Sequence, residues 1–140
     1  MAKKVFISFD YENDRHYKYL LTALNAHPGF DLIFDDFSAQ EVNSSTISVV
    51  KAGLTTKINQ ADYTLVIVGQ YANALHKDSK LIEYKNWINF EVARSKAAYN
   101  KLIGVKIKST YESPEELLGA GAKWAMSFNV DAVVKAIDQA

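Results

Sequence analysis

The sequence predicts a three-layer, flavodoxin-like α/β fold, with a five-stranded, mainly parallel sheet and helices on both faces. Short apolar runs rich in β-branched residues alternate along the chain with segments whose apolar residues recur at helical spacing. The run 61–69 (ADYTLVIVG) is almost continuously apolar, as is typical of a central parallel strand that helices cover on both sides. Because βαβ crossovers are right-handed, five strands in 140 residues favour the order 2-1-3-4-5.

The first part of the chain predicts two strands and two helices. The run KKVFISF is short, apolar and rich in β-formers, and the segment after it places one tyrosine and three leucines at helical spacing. Ser44 or Ser45 would cap the second helix, because either hydroxyl precedes a periodic apolar segment. The predicted elements are strand 3–9, helix 13–27, strand 31–34, a polar loop 35–45 and helix 46–59.

The second part continues the alternation after the central strand. SPEELLG predicts a one-turn helix with Ser113 as its cap, Pro114 at its first position and Gly119 at its end. NVDAVVKAIDQA predicts a closing helix, because three valines and an isoleucine share one face. The predicted elements are strand 61–69, a long connection 70–85, a helix from there to about residue 100, strand 101–107, edge strand 122–128 and helix 129–140.

Composition excludes several kinds of function. Lys+Arg and Asp+Glu number 16 each, so the net charge is zero and no basic field indicates nucleic acid. The chain has no cysteine, which excludes disulfides and thiolate chemistry, and its longest apolar stretch is too short to span a bilayer. We therefore expect a soluble, cytoplasmic protein with a single domain, residues 1–140, and no membrane partner.

Several common occupants of this fold are also excluded by sequence. The third strand ends in VIVGQY, without the carboxylate that a phospho-accepting receiver domain needs there. The segment FDYENDRH lacks the Ser/Thr/Gly-rich phosphate loop of a flavodoxin, and no glycine-rich nucleotide motif occurs. His16, His27 and His76 are scattered without metal-ligand spacing, so no metal site is predicted.

In the predicted strand order, a ligand would bind at the carboxyl ends of the strands, where the direction of winding reverses. Trp87 and Glu91 lie four positions apart in the helix KNWINFEVARSK, hence on the same side of it. We read this helix as a surface helix. This spacing alone leaves two interpretations. The pair could bind a flat cationic ligand, or Trp87 could be a core residue while Glu91 pairs with Arg94 or Lys96 on a solvated face. The stretches that meet at this end of the sheet are Asp10–Tyr11, Asp35–Phe37, Gly69–Tyr71 and the start of the Trp87 helix.

Four segments resemble the TIR (Toll/interleukin-1 receptor) superfamily, in particular its bacterial branch found in Thoeris antiphage systems. KKVFISFDYEND resembles the family's first strand and the polar loop after it, and INQADYTLVIVGQY its passage into the central strand. NWINFEVARS resembles the helix with a tryptophan four residues before the catalytic glutamate, and NKLIGVKI the strand that follows. The resemblance covers residues 3 to about 107. The loop 35–45 departs from the animal and plant signature.

The resemblance implies an enzyme that consumes NAD as its substrate and needs no further cofactor. Catalytic members cleave the nicotinamide–ribose bond, and Thoeris members make a cyclic ADP-ribose signal that activates a downstream effector. Other members lack activity and serve as assembly modules. Glu91 is then the catalytic residue: its carboxylate stabilises the ribosyl cation while nicotinamide leaves neutral. Trp87 would stack on the cationic ring or the ribose edge.

The remaining candidates each keep a structural alternative. The Ser8 hydroxyl could merely form a hydrogen bond within the core. Asp10 and Tyr11 could contact ribose or phosphate, or cap a helix. Tyr71 could stack on adenine or pack against the protein. Phe37 lies in the loop that borders the site in TIR domains; exposed, it would contact a partner during self-association on activation, but it could also fold inward. Three lysines in the long connection, Lys77, Lys80 and Lys85, could meet a pyrophosphate or be solvated. The substrate-binding candidates besides Trp87 are Ser8, Asp10, Tyr11, Asp36, Phe37, Gln70 and Tyr71.

Overall fold

The protein folds around one parallel sheet of five strands in the order β2-β1-β3-β4-β5. The computed structural model describes residues 3–10, 24, 26, 28–34 and 46–140, so most of the predicted helix 13–27 and all of the loop 35–45 lie outside the described residues. The predicted fold class and strand order are confirmed. The strands are β1 Lys3–Ser8, β2 Phe30–Phe34, β3 Tyr63–Val68, β4 Lys101–Lys106 and β5 Lys123–Ala125.

Four α-helices and one 3-10 turn lie entirely within the described residues. Over this part of the chain, no helix is long and apolar enough to cross a membrane. The helices are α1 Ile47–Gln60, α2 Ser79–Ile82, α3 Trp87–Ala97 and α4 Val130–Gln139, and the 3-10 turn is Glu115–Leu117.

Two local predictions were wrong. The N-cap of α1 is Thr46, in an αR conformation without a side-chain capping bond, and not Ser44 or Ser45. The turn predicted to start at Pro114 starts one residue later, because Pro114 has the extended ψ of 134°. The predicted long connection 70–85 contains the one-turn helix α2, which the sequence analysis did not predict.

Side chains alternate between the two faces of the sheet, and each face packs on different helices. Val5, Ile7 and the matching residues of β3 and β4 form a core with α4. On the opposite face, Phe6 packs with α1 and with the start of α3, while Val66 and Val68 pack with the next turns of α3. Because successive residues of a strand point to opposite faces, Ser8 shares the α3 side with Phe6.

A series of buried and partly buried hydrogen bonds joins α3 and the residues after it to the central strand. Asn100 Nδ2 donates to Thr64 Oγ1 (3.3 Å), and Ser95 Oγ donates to the Glu91 carbonyl oxygen (2.8 Å). The two hydroxyls lie 2.7 Å apart, and Thr64 is the donor between them, because the Ser95 proton is already engaged. These hydrogen bonds hold α3 against β3 without a charged group.

Gly104 in β4 leaves room for the aromatic residue of the edge strand. Trp124 lies opposite Gly104 in the β4–β5 register, and its indole crosses the glycine so closely that a Cβ there would stand 2.5 Å from the ring. Any side chain at residue 104 would displace the indole, so the three-residue strand β5 depends on this glycine.

The carboxyl end of α3 closes with a Schellman motif. The Asn100 N–H donates to the Ser95 carbonyl (3.0 Å) and the Tyr99 N–H to the Lys96 carbonyl (3.1 Å). Tyr99 therefore takes a left-handed conformation with φ 61°, although glycine is the usual residue at this position. Its side chain is 93% exposed, so packing does not compensate the backbone strain.

We expect Tyr99→Gly to raise the free energy of unfolding by about 1 kcal/mol, because glycine relieves the left-handed strain and no buried contact is lost. Urea denaturation followed by circular dichroism would measure the change. Tyr99→Ala is the control, since it removes the same side chain but keeps the strain. An equal effect of both substitutions would contradict the explanation.

Candidate functional site

A buried carboxylate lies beside the carboxyl end of β1. Ser8, the last residue of that strand, donates a hydrogen bond from Oγ to Glu91 Oε1 at 2.9 Å. Both residues are 0% exposed. The bond joins positions 83 residues apart in the chain and connects the first strand to the middle of α3.

The alternation of β1 and the periodicity of α3 bring these two side chains together. Ser8 emerges on the α3 side of the sheet, opposite Val66 of the central strand. Along α3, Phe90 and Trp87 pack in the cluster with Phe6, while Ile88 and Val92 pack in the cluster with Val66. Glu91 lies between these apolar contacts, so its carboxylate points into the interior at the switch point of the sheet.

The helix is not the surface helix that the sequence suggested. Seven of its 11 residues are buried, because the sheet and α1 cover one side and residues 112–118 cover another. Trp87 is 7% exposed and meets the Phe90 ring edge-on at 5.7 Å. It is a core residue in this structure, and its contact with substrate stays a prediction.

The interpretation in which Glu91 pairs with Arg94 or Lys96 on a solvated face was wrong. Glu91 does not face solvent, and Lys96 binds the Glu116 carboxylate at 2.8 Å instead. Among the described residues, Arg94 takes part in no ion pair.

Sequence reasoning missed a cluster of buried asparagines at the start of α3. Asn86 caps the helix by accepting from the Asn89 N–H at 2.9 Å, and Asn73 and Asn89 are bonded to each other at 3.1 Å. All three are at most 8% exposed. An asparagine directly before the apolar segment WINF was a readable capping signal, but its partners are too distant in sequence to predict.

The other predicted site residues are spread around the same end of the sheet. Asp10 is half-buried just beyond β1, and Gln70 and Tyr71 are exposed just beyond β3. Tyr11, Asp36 and Phe37 lie outside the described residues. The structure therefore brings together Ser8 and Glu91, with Trp87 one turn away in the same helix.

A shallow depression of about 660 Å³ lies elsewhere, beside α2 and the 3-10 turn. Lys80 and Lys85 line it with Glu83 and with two glutamates of the turn, and neither Glu91 nor Ser8 takes part. These lysines thus lie among carboxylates, a poor setting for a pyrophosphate. Lys51 from α1 also reaches Glu83 at 2.8 Å, and this hydrogen bond lowers the pKa of that exposed carboxyl.

The geometry at Glu91 suits stabilisation of a positive charge. A carboxylate buried from solvent acts more strongly on a nearby cation than one in water. Within the described ranges, no group of three or more His, Cys, Asp or Glu side chains could hold a metal ion.

Fold and site together define an α/β protein of the flavodoxin-like class, with a buried carboxylate at the switch point of its sheet. The model of the family "Thoeris protein ThsB, TIR-like domain" matches residues 6–112, and the chain belongs to that family. This match confirms the resemblance read from the sequence. No curated protein matches the chain.

Solved structures share the fold at low sequence identity. A 2-deoxyribosyltransferase from Bacillus psychrosaccharolyticus has a TM-score of 0.60 at 12% identity, covering 92% of this chain and 90% of its own. The Leishmania mexicana 2-desoxiribosyltransferase has a TM-score of 0.57 at 11% identity, covering 98% and 97%. The TIR domains of the activated Roq1 resistosome match at a TM-score of 0.48 and 18% identity, covering 75% and 57%. These likenesses concern the fold alone.

We expect Ser8→Ala to lower the free energy of unfolding by about 1–3 kcal/mol, because a buried charged acceptor loses its donor. In a Glu91→Gln background the same change should cost only about 1 kcal/mol, since the acceptor is then neutral. Denaturant titration of the four proteins of this cycle gives both values. Equal losses in the two backgrounds would mean that Ser8 does not stabilise a charged carboxylate.

Proposed function

We propose that this TIR-like domain consumes NAD, cleaving the nicotinamide–ribose bond and producing a cyclic ADP-ribose-type signal. The observation that carries the proposal is the Glu91 carboxylate, held by Ser8 inside the protein at the switch point of the sheet. Membership of the ThsB TIR-like family supports it, because the matched residues include NWINFEVARS, which resembles the helix with the catalytic glutamate of TIR domains.

The chemistry asks for one well-placed carboxylate. The nicotinamide ring of NAD is cationic and leaves neutral, so no general acid is needed. Charge then accumulates on the ribose carbon as the bond to nitrogen breaks. Glu91 would stabilise this cation, and the hydrogen bond from Ser8 would orient the carboxylate.

The other residues at this end of the sheet would bind the substrate. Tyr71 is 47% exposed and offers a face for adenine, and Gln70 and Asp10 offer polar groups for ribose or phosphate. Trp87 shapes the interior next to Glu91 and would meet the nicotinamide only after the helix start rearranges. NAD is the substrate, and we propose no separate cofactor.

In a cell, the product would act as a diffusible nucleotide signal for an effector in antiphage defence. Activation would proceed by self-association, and both steps would take place in the cytoplasm. The balanced charge of the chain, with 16 basic and 16 acidic residues, permits association of copies without net repulsion.

A second candidate function is a non-enzymatic adaptor that recruits partners. The complete burial of Glu91 favours it, because a carboxylate at 0% exposure does not meet a ligand in this conformation. Incubation of the purified protein with NAD, followed by chromatography and mass spectrometry, separates the two candidates: nicotinamide release supports the enzyme, and unchanged NAD at all protein concentrations supports the adaptor.

We expect Glu91→Gln to lower the rate of NAD cleavage by about a hundredfold or more, a loss of some 3 kcal/mol of electrostatic stabilisation. The unfolding free energy should barely change, since the amide oxygen still accepts from Ser8 and the lost cost of burying a charge offsets the cost of burying the amide N–H donors. Product formation followed over time measures the first effect, and denaturant titration the second.

Glu115→Gln is the matched control, because Glu115 is exposed and forms no ion pair among the described residues. It should keep the wild-type rate. An active wild type with an equally active Glu91→Gln variant would remove Glu91 from the mechanism.

We also expect specific activity to rise with protein concentration, because self-association would order the site. Activity should be measured across a hundredfold dilution, with light scattering of the same samples. Constant specific activity from a protein that stays monomeric throughout would contradict this dependence.

A further inference from the structure

Three asparagine amides at the start of α3 form an almost saturated network. Asn86 uses both lone pairs to accept from Asn89 N and Nδ2 (2.9 and 3.0 Å), and donates twice from Nδ2 to the carbonyls of Ala72 and Ala74 (both 2.9 Å). Asn73 Oδ1 accepts from Asn89 Nδ2 at 3.1 Å. An amide has two donors and two acceptor sites, so these bonds permit one orientation of each group.

The remaining acceptors of this network hold a separate segment, residues 112–118, which we call the brace. Asn73 Oδ1 accepts from the Glu115 N–H and Asn89 Oδ1 from the Glu116 N–H, both at 3.0 Å. Asn73 Nδ2 also donates to Glu112 Oε1 at 3.1 Å. The two bonds to Asn73 and Asn89 therefore hold the brace by its backbone N–H groups, and they do not depend on the side chains of residues 115 and 116.

A lysine fixes the brace nearer the carboxyl end of the helix. Lys96 Nζ donates to the Glu116 carbonyl and to its carboxylate, both at 2.8 Å. The brace thus contacts α3 at residues 89 and 96, about two turns apart. Leu117 is buried with Ile88 and Val92, which adds an apolar contact between these two points.

The brace and β1 hold α3 from different sides. Residues two apart on a helix point about 200° apart, so Asn89 and Glu91 face opposite ways. Asn89 meets the brace, and Glu91 meets Ser8. A helix held on both sides places its carboxylate reproducibly, and a shift of about 1 Å in a reacting group can cost about a hundredfold in rate.

We propose that Asn73 and Asn89 are positioning residues for the Glu91 carboxylate, and that they act by docking the backbone of residues 115 and 116 against α3. This inference rests on the proposed function. It goes beyond the family match, which ends at residue 112, where the brace begins.

Glu115→Pro breaks the docking at residue 115, because it removes the N–H and places the ring Cδ against Asn73 Oδ1. Pro114 has φ −52° and ψ 134°, the conformation that a residue before proline prefers, and residue 115 is the first of the 3-10 turn, where proline is tolerated. The substitution deletes the N–H that donates to Asn73. Glu115→Ala is the matched control, because it removes the same exposed side chain and keeps the N–H.

We expect Glu115→Pro to lower kcat for NAD at least about fivefold with unchanged KM, because it loses a hydrogen bond of ordinary net strength and its ring also displaces Asn73. Hydrogen exchange of the Asn89 and Phe90 amides, which bond to Asn86, should rise by a similar factor. Glu115→Ala should match the wild type in both measurements.

A second pair of variants tests Asn73 through its side chain. Asn73→Asp replaces the donor to Glu112 by a repelling carboxylate and should lower kcat. Adding Glu112→Gln restores the bond with its direction reversed, and should restore kcat. Failure of this rescue in a folded double variant would overturn the role of Asn73.

The outcomes separate this inference from the proposed function. A wild type without NAD cleavage would overturn the proposed function, and hydrogen exchange alone would then decide whether the brace orders α3. An active wild type whose Glu115→Pro and Glu115→Ala variants share the same kcat would overturn the positioning role alone. Unchanged exchange at residues 89 and 90 would overturn the docking itself.

Discussion

A carboxylate that solvent does not reach must find its hydrogen bonds inside the protein. Burying such a charge costs several kcal/mol unless donors compensate, and in this chain Ser8 supplies one of them. The Ser8 bond joins the last residue of β1 to the middle of α3, so the end of the strand and the position of the helix over the sheet must fit together at this point.

Neutral polar groups carry much of the remaining attachment of α3. Threonine and serine hydroxyls tie it to the central strand, and asparagine amides tie its first turn to two neighbouring segments. Amides and hydroxyls avoid the desolvation cost of buried ions, yet their directional bonds allow few alternative packings. The ion pair Lys96–Glu116 lies at the rim, where part of each side chain meets water.

The sequence was sufficient for the fold because apolar periodicity acts locally. The strand 63–68 and the closing helix could be read from their own residues, and crossover handedness then restricted the strand order. The site was only partly readable. Spacing placed Trp87 and Glu91 on one side of a helix, but spacing cannot tell a core indole from an exposed one, and here Trp87 is buried. The Ser8 and Glu91 contact spans 83 residues and depends on the packed position of α3, which no local pattern encodes.

The burial of Glu91 also bears on how tightly any ligand of this site would be held. If only a small fraction of molecules exposes the carboxylate, the apparent dissociation constant equals the intrinsic one divided by that fraction. Weak apparent affinity would then say little about the quality of the contacts. A protein partner or a second copy that favours the open conformation would sharpen the affinity without touching the ligand, so assembly and occupancy would be thermodynamically linked in both directions.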